Sequence, residues 1–425
     1  MPVLPILPVP DPVAATSPRF AALRQRDFRL VWIGLGVSSI GTQVQRVAVA
    51  WQIYQLTHSP VALGLVALFR ALPILGLGVF SGVVADALDR RRLMLVTQSL
   101  MAASSAALAA LTFTHHATPA AIYALTFLTA CGQAFDSPAR QAIVPALVPR
   151  AALANALSLS ATTMRLASVI GPGVGGLVIA GAGGLTGAYA IDALSFLAVI
   201  GALSAMHHRH VPPPTSRVSA AAALEGLKFV RSRPLLVWLM SLDFIGTFFA
   251  GSTQLMPIFA DSILHVGTRG LGMLLGAPAV GAMLAAVALS LLRDIDRRGV
   301  VVLVCVVIYG AATAAFGLSR SFPLSLALLA VTGAADSVST VLRQTARNLV
   351  TPDELRGRMT SVNMIFFVGG PQLGEVEAGL VARAIGAPWS VASGGLACAL
   401  AAVAISFLAP VVRRHRGREV AASIG

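Results

Sequence analysis

Two similar stretches stand 199 residues apart in this chain: Gly-Pro-Gly-Val-Gly-Gly at residues 171–176 and Gly-Pro-Gln-Leu-Gly-Glu at residues 370–375. Each lies inside an apolar run long enough to cross a bilayer, for which a helix needs about 20 residues. Small residues allow helices to approach closely within a membrane, and proline favours a kink. The recurrence therefore indicates two related halves with an equivalent helix in each.

The composition of the chain is that of a membrane protein. Of its 425 residues, 56% are apolar and 11% are charged, and the mean hydropathy is +0.81. Soluble domains carry about 25% charged residues. The composition therefore excludes a soluble enzyme, a disulfide scaffold and a disordered chain.

Twelve apolar runs have the length of a membrane span. Because the number is even, both termini lie on the same side of the membrane. We predict an all-α integral membrane protein with twelve transmembrane helices in two six-helix pseudo-symmetric halves. The runs fall at about 30–56, 61–85, 93–113, 119–145, 154–180, 185–206, 235–260, 270–292, 299–318, 322–346, 360–382 and 388–411.

The longest connection between runs divides them into two groups of six. We expect an N-terminal half over residues 19–206, a cytoplasmic linker over 207–234 and a C-terminal half over 235–412. Residues 1–18 contain six prolines and have no apolar core, so we expect a disordered cytoplasmic tail there. Residues 413–425 form the C-terminal cytoplasmic tail.

Basic residues are distributed very unequally between the two sets of loops. Of the 31 lysines and arginines, 23 lie in one set of loops with the tails, 3 lie in the opposite set and 5 lie within runs. Cytoplasmic loops of membrane proteins accumulate lysine and arginine. We therefore expect a multi-pass protein of a bacterial-type inner membrane, with both termini in the cytoplasm.

A second motif lies between the second and third runs, where residues 82–92 read Gly-Val-Val-Ala-Asp-Ala-Leu-Asp-Arg-Arg-Arg. By composition alone it is an ordinary basic loop. In this position it resembles the loop signature of the major facilitator superfamily, G-x-x-x-D-R-x-G-x-R-R. Ala87 and Asp89 replace the first arginine and the second glycine of that signature.

The resemblance implies a conformational gate on the cytoplasmic side. In the family, the signature acid caps the start of the eleventh span, and a basic residue at the place of Arg90 pairs with an acid in the fourth span. Asp136 is suitably placed for that pairing. The gate residues implied are Gly82, Asp86, Arg90, Arg91 and Asp136.

The glycine run of the fifth span resembles the family's antiporter motif, G-(x)8-G-(x)3-G-P-(x)2-G-G. Ser158 and Ala167 occupy its first two glycine positions, and both residues are small. The alternative is a packing motif without influence on the direction of transport. The matching residues are Gly171, Pro172, Gly175 and Gly176.

Further stretches resemble the drug:proton antiporter branch that includes the enterobactin exporter and macrolide efflux proteins. These stretches lie at 141–145, 153–156 and 352–358.

Ionisable residues within the runs are functional candidates, because a charge inside a membrane is costly. The family's first, fourth, seventh and tenth spans line a central cavity, which implies that Arg46, Asp243 and Asp336 lie in or near it. A carboxylate in an apolar setting takes up a proton readily, whereas Arg46 suits an anionic group. For each acid, a structural ion pair is the alternative. The proton-coupling and cavity candidates are Arg46, Asp243, Asp336 and Glu375.

Other charged positions have simpler interpretations. Arg140 and Arg343 lie towards the ends of the fourth and tenth runs, so we expect their side chains to extend to the membrane surface. Glu375 and Glu377 are two residues apart on a helix, so at most one faces the cavity. Asp192 belongs to a peripheral span, and we expect a structural role for it.

These features favour a secondary exporter that moves a hydrophobic or amphipathic organic solute, such as a drug or siderophore, by proton antiport with alternating access. Its partners would be the solute, protons and the bilayer, with no nucleic acid, no cofactor and no metal, in a monomer. A lipid or lysophospholipid flippase on the same scaffold is the alternative. An intramembrane enzyme is disfavoured because neither H-E-x-x-H nor a histidine occurs within the runs.

Overall fold

A computed structural model describes residues 20–207, 227–291, 295–352 and 355–415. These residues form helices joined by short loops and contain no strand. The all-α expectation is therefore confirmed. The tail at 1–18 and most of the linker at 207–234 lie outside the described residues.

Twelve long helices make up the described part of the chain. A short irregular segment, with turns at Thr253–Leu255, Met256–Ile258 and Phe259–Ile263, extends the seventh helix. The helices are α1 Arg26–Thr57, α2 Pro60–Ala87, α3 Arg90–Phe113, α4 Pro119–Ala146, α5 Leu153–Ala180, α6 Gly184–Ala205, α7 Pro234–Phe249, α8 Gly267–Leu291, α9 Arg298–Leu318, α10 Phe322–Val350, α11 Arg356–Ile385 and α12 Ala387–Leu408.

Nine helical segments of the described chain are apolar and long enough to span a membrane. The other three long helices, α1, α4 and α11, have 32, 28 and 30 residues, so length does not limit them. They carry more polar residues, and several of these are buried, including Gln45, Gln52, Asp136 and Glu375. Their lower hydropathy therefore comes from polar side chains directed into the protein.

Local sequence sets where the helices begin and end. Pro60 and Pro119 occupy first turns, where a missing N–H costs nothing, and Ser59 and Thr118 cap those helices. At the start of α3, Oδ1 of Asp89 accepts hydrogen bonds from the backbone N–H groups of Arg91 and Arg92, at 2.8 and 3.2 Å. The residue that replaces a family glycine is therefore a helix cap.

The same packing arrangement occurs twice. In the first half, α1 packs on α5 and α6, α3 packs on α4 and α6, and α2 packs on α4. In the second half, α7 packs on α11 and α12, α9 on α10 and α12, and α8 on α10. The halves meet along two seams, α2 with α11 and α5 with α8, which are also equivalent positions.

The two ends of the bundle differ in how the halves join. We call the end that holds Arg90, Arg150 and Arg298 the basic end, and the other the closed end. At the closed end, one apolar cluster draws on both halves and includes Leu63 of α2 and Phe259 of the irregular segment after α7. The described clusters of the basic end are each confined to one half. Among the described residues, the apolar cluster shared by the two halves therefore lies at the closed end.

Candidate functional site

An ion cluster joins α7 to α10 inside the second half. An Nη2 atom of Arg343 donates to Oδ1 of Asp243 at 2.7 Å and lies 3.7 Å from Oδ1 of Asp336. The same guanidinium donates to the hydroxyl of Thr340 at 3.1 Å, and that hydroxyl donates to Asp336 at 3.4 Å. One arginine is thus shared between two carboxylates of different helices.

The two carboxylates differ in their access to solvent. The side chain of Asp336 is 49% exposed, whereas those of Asp243 and Arg343 are 4% and 3% exposed. The expectation that Arg343 extends to the membrane surface is wrong, because Asp243 holds it inside the bundle. The spacing of Asp336, Thr340 and Arg343, four and three residues apart, could have indicated this cluster, since such residues share one helix face.

A cavity with about 230 Å³ of empty space adjoins the cluster. Because Asp336 borders it with half of its side chain exposed, a water molecule or proton reaches this carboxylate without displacing the buried pair. The other lining residues come from α7, α9 and α10: Gly246, Thr247, Val306, Tyr309 and Ser339.

A larger cavity, with about 420 Å³ of empty space when the part open to solvent is included, lies between α1, α2 and α4. Arg46 and Arg70 line it, and Gln254 from the irregular segment after α7 borders it from the other half. Arg46 donates to Oε1 of Gln43 at 3.0 Å and is exposed to the cavity midway along α1. The structure thus places Arg46 in a central cavity. No specific role was predicted for Arg70 or Gln254 from the sequence.

Glu375 lies in the seam between the halves. Its side chain is 7% exposed and lies within the electrostatic fields of Arg70 and Arg46. Its Oε2 atom has no hydrogen-bond partner among the described residues. Glu377, two residues on, is half-buried. Glu375 therefore carries a buried carboxylate towards two arginines of the opposite half.

Asp192 belongs to a buried polar chain behind the larger cavity. Gln45 donates to Ser105 at 2.8 Å, and Ser105 donates to Asp192 at 2.6 Å. These contacts connect α1, α3 and α6, in keeping with a structural role for Asp192. Since Gln45 also lines the cavity, the chain fixes one wall of it.

The gate residues at the basic end are only partly described. Gly82 and Asp86 belong to α2, and the surroundings of both residues lie outside what the structure describes. Arg90 donates to the backbone oxygen of Ala142 at 3.2 Å, and Arg91 donates to that of Ser204 at 2.8 Å. These arginines tie α3 to α4 and α6 within one half.

Asp136 accepts its hydrogen bonds from α3. Thr97 donates to Oδ1 of Asp136 at 3.2 Å, and Gln98 donates to the same atom at 2.9 Å. The ion pairs of the described residues do not include Arg90 with Asp136. In this conformation the structure therefore does not bring the two expected gate partners together.

The closed end is held by hydrogen bonds between the halves. The Tyr54 hydroxyl on α1 donates to Oδ2 of Asp261 at 3.1 Å and lies 2.6 Å from the Ser262 hydroxyl. Both partners belong to the irregular segment after α7. These bonds add directional contacts to the apolar cluster that closes this end.

The glycine motif of α5 lies where that helix contacts two others. A Cβ atom at Gly171 would lie 2.5 Å from Cβ of Gln43 on α1, and one at Gly176 would overlap the backbone of Thr268 at the start of α8. The motif residues Gly171, Pro172, Gly175 and Gly176 are all buried. They allow α5 to pack closely against both halves.

Comparisons with known proteins place the chain among membrane transporters. A family model described as transmembrane secretion effector matches residues 16–422. The multidrug efflux pump Tap of Mycolicibacterium fortuitum is 29% identical over 359 residues, which cover 81% of this chain and 87% of that pump. The enterobactin exporter EntS of Shigella boydii is 27% identical over 390 residues, 92% of this chain and 93% of the exporter.

Solved structures share the fold at low sequence identity. A bacterial homologue of the human lysosomal transporter Spinster, in an inward-facing and unoccupied conformation, aligns with a TM-score of 0.72 and 14% identity over 92% of this chain and 97% of that one. A POT family transporter in complex with a thioalcohol-conjugated peptide aligns with a TM-score of 0.73 and 11% identity, with the same coverage. The expected fold of two pseudo-symmetric six-helix halves is confirmed.

Proposed function

Because the chain belongs to the transmembrane secretion effector family of the major facilitator transporters, we propose that it is a secondary exporter coupled to proton antiport. It moves a hydrophobic or amphipathic organic solute out of the cytoplasm. The family makes it a multi-pass membrane transporter and not an enzyme. The direction, the coupling ion and the solute are the parts that we propose.

The shared arginine between Asp243 and Asp336 is the observation that carries the proposal. Two carboxylates compete for one guanidinium, at 2.7 and 3.7 Å, and the more distant carboxylate is the exposed one. Protonation of Asp336 removes its attraction for Arg343 and leaves the buried pair with Asp243 intact. A proton can thus bind at Asp336 without leaving a buried charge unpaired.

The position of the closed end indicates which side of the membrane the cavities open to. With the basic end in the cytoplasm, as the arginine distribution predicts, the cluster around Leu63 and Phe259 closes the bundle on the outer side. Arg46 and Asp336 are then accessible from the cytoplasm. Each half would move as a near-rigid body about the two seams to expose these residues to the other side.

Coupling follows from the different environments of Asp336 in the two states. The bound proton shifts the equilibrium between them only by the difference in its affinity for each state. In the state described, Asp336 lies 3.7 Å from the guanidinium of Arg343 and faces the cytoplasm, so it exchanges its proton with that side. Export then takes place while the proton gradient returns protons inward.

Two relatives support an organic solute as cargo. Tap is a multidrug efflux pump and EntS exports enterobactin, and each covers most of this chain. The cavities here combine aliphatic and polar walls, which suits an amphipathic molecule. We therefore assign the chain an efflux role towards a drug-like or siderophore-like solute.

Purified protein in proteoliposomes tests the proposal. Internal pH is followed while a panel of dyes, antibiotics and catecholate siderophores is added on the cytoplasmic side. Proton movement that depends on a solute supports antiport. Scrambling of labelled lipid without proton movement for any solute would contradict it and identify a flippase.

A further inference from the structure

The larger cavity has an unusual balance of charge. Eleven residues line it, and two of them, Arg46 and Arg70, are arginines while none is acidic. Among the described residues, no carboxylate oxygen lies within ion-pair distance of either guanidinium. Two like charges in a poorly solvated site repel each other. The cavity therefore has an excess of positive charge that a bound anion would neutralise.

Buried polar atoms around the same cavity lack partners. The hydroxyls of Thr126 and Thr129 and Oε1 of Gln254 have no hydrogen-bond partner among the described residues, and all three residues line the cavity. An unpartnered buried polar atom is costly, so such atoms are normally satisfied by water or by a ligand. The hydroxyls of Thr126 and Thr129 can donate to the oxygens of an anion, next to the arginines.

Apolar side chains form one part of the wall. They are Val49 on α1, Val66 on α2 and Ala130 on α4, and the remaining lining residues are polar: Thr42, Gln45 and Gln133. An aromatic or aliphatic body would lie against these residues while its charged group meets the guanidiniums. The combination favours an amphipathic molecule with one anionic end.

We propose that this cavity binds the anionic group of the exported solute, and that the solute is an organic carboxylate or a similar oxyanion. Arg46 and Arg70 hold the oxygens through charge-assisted hydrogen bonds, which arginine makes in a bidentate geometry. This inference rests on the proposed export function, and it specifies the chemical class of the solute.

Glu375 contributes an opposing negative charge to this cavity from the second half. Its buried carboxylate lies in the field of both arginines, beyond ion-pair distance, and its Oε2 atom has no hydrogen-bond partner among the described residues. The carboxylate of the solute and that of Glu375 are therefore competitors for the same positive field. Neutralising Glu375 strengthens the binding of the solute.

Equilibrium binding to the full chain in nanodiscs tests the proposal, with tritiated 2-naphthoate and its neutral analogue 2-naphthamide as probes. The two have nearly the same size and differ in charge. We expect the protein to bind naphthoate roughly tenfold or more tightly than naphthamide, the range of a charge-assisted hydrogen bond. Absence of saturable naphthoate binding, or equal affinity for both probes, overturns the proposal.

Variants assign the effect to the two arginines. Arg46→Gln and Arg70→Gln are expected to weaken naphthoate binding by about tenfold and leave naphthamide binding unchanged. Arg70→Lys retains much of the affinity, because it keeps the charge, and Glu375→Gln raises it. Arg383→Gln, at an exposed position of the closed end, is the matched control and changes neither probe. Equal loss for both probes in the two glutamine variants overturns the charge-based site.

Transport separates this inference from the export function. If naphthamide-like neutral solutes are exported and naphthoate is neither bound nor moved, export stands and the anion site is wrong. If naphthoate binds through Arg46 and Arg70 but no solute drives proton movement, the site stands and antiport is wrong.

Discussion

Arg343 of α10 donates to Asp243 of α7 at 2.7 Å across 100 residues of sequence, and both side chains are almost completely buried. The pair joins two helices that line the same cavity. Asp336 borders the same guanidinium from a more exposed position. This unequal sharing of one guanidinium is the basis of the proposed proton coupling.

Removal of Arg343 is expected to destabilise the protein strongly. Arg343→Gln leaves the Asp243 carboxylate buried without its partner, which costs about 3–5 kcal/mol in comparable cases. Asp243→Asn together with Arg343→Gln removes both charges and restores much of that loss. Thermal unfolding in detergent, followed by tryptophan fluorescence, measures the cycle. A double variant no more stable than Arg343→Gln alone would show that the pair is not the stabilising element.

Gly176 is expected to tolerate no side chain. A Cβ atom there would overlap the Thr268 backbone at the seam between α5 and α8, whereas one at Gly173 has no heavy atom within 4 Å. Gly176→Ala should reduce transport by about tenfold or more, because the added methyl group would keep α5 and α8 from packing together. A tenfold loss corresponds to ~1.4 kcal/mol. Gly173→Ala is the matched control and should leave transport unchanged. Equal transport by the two variants in an efflux assay would show that close packing of α5 against α8 is not required for transport.

Tyr54 is expected to stabilise the closed end. Tyr54→Phe removes its hydrogen bonds to Asp261 and Ser262, at a cost of about 1 kcal/mol, and should make residues 253–263 open more often. Hydrogen–deuterium exchange measures this as faster exchange in that segment. Tyr123→Phe loses a bond to the Ala62 backbone within one half and should leave the segment unchanged. Faster exchange in both variants would point to general loosening of the bundle.

Most of the fold could be predicted from the sequence. The apolar runs at 93–113, 185–206 and 299–318 match α3, α6 and α9 to within three residues at each end. The run at 235–260 differs, because α7 ends at Phe249 and an irregular segment continues to Ile263. Hydropathy detects that the segment is apolar but does not detect the break in its helical hydrogen bonds.

The site could be predicted only in part. Arg46, Asp243 and Asp336 stood out as charges within apolar runs, and the structure places each beside a cavity. The partners of these residues were not predictable, because pairs such as Arg343 with Asp243 form between helices far apart in the chain. The position of a charge along a run shows its depth in the membrane but not which helix it faces.

Gly176 in the first half and Glu375 in the second half occupy equivalent positions of the repeat, and the consequence of this difference could not be predicted without the helix packing. Gly176 contacts Gly272 of α8, and Glu375 contacts Gly64 of α2. The repeat thus has a glycine at one seam and a buried carboxylate at the other. This asymmetry gives the α2–α11 seam the charge that faces Arg46 and Arg70.

Proton-driven efflux by Asp336→Asn protein in proteoliposomes tests the central claim most directly. A pH gradient that makes the outer side of the membrane more acidic than the cytoplasmic side should drive solute export by the unaltered protein. Asp296→Asn, in an exposed loop, is the control variant and should behave like the unaltered protein. We predict that Asp336→Asn still exchanges solute across the membrane without a gradient but no longer accumulates it against one. Undiminished uphill export by Asp336→Asn, and by Asp243→Asn with Asp336→Asn, would contradict the assignment of proton coupling to this cluster.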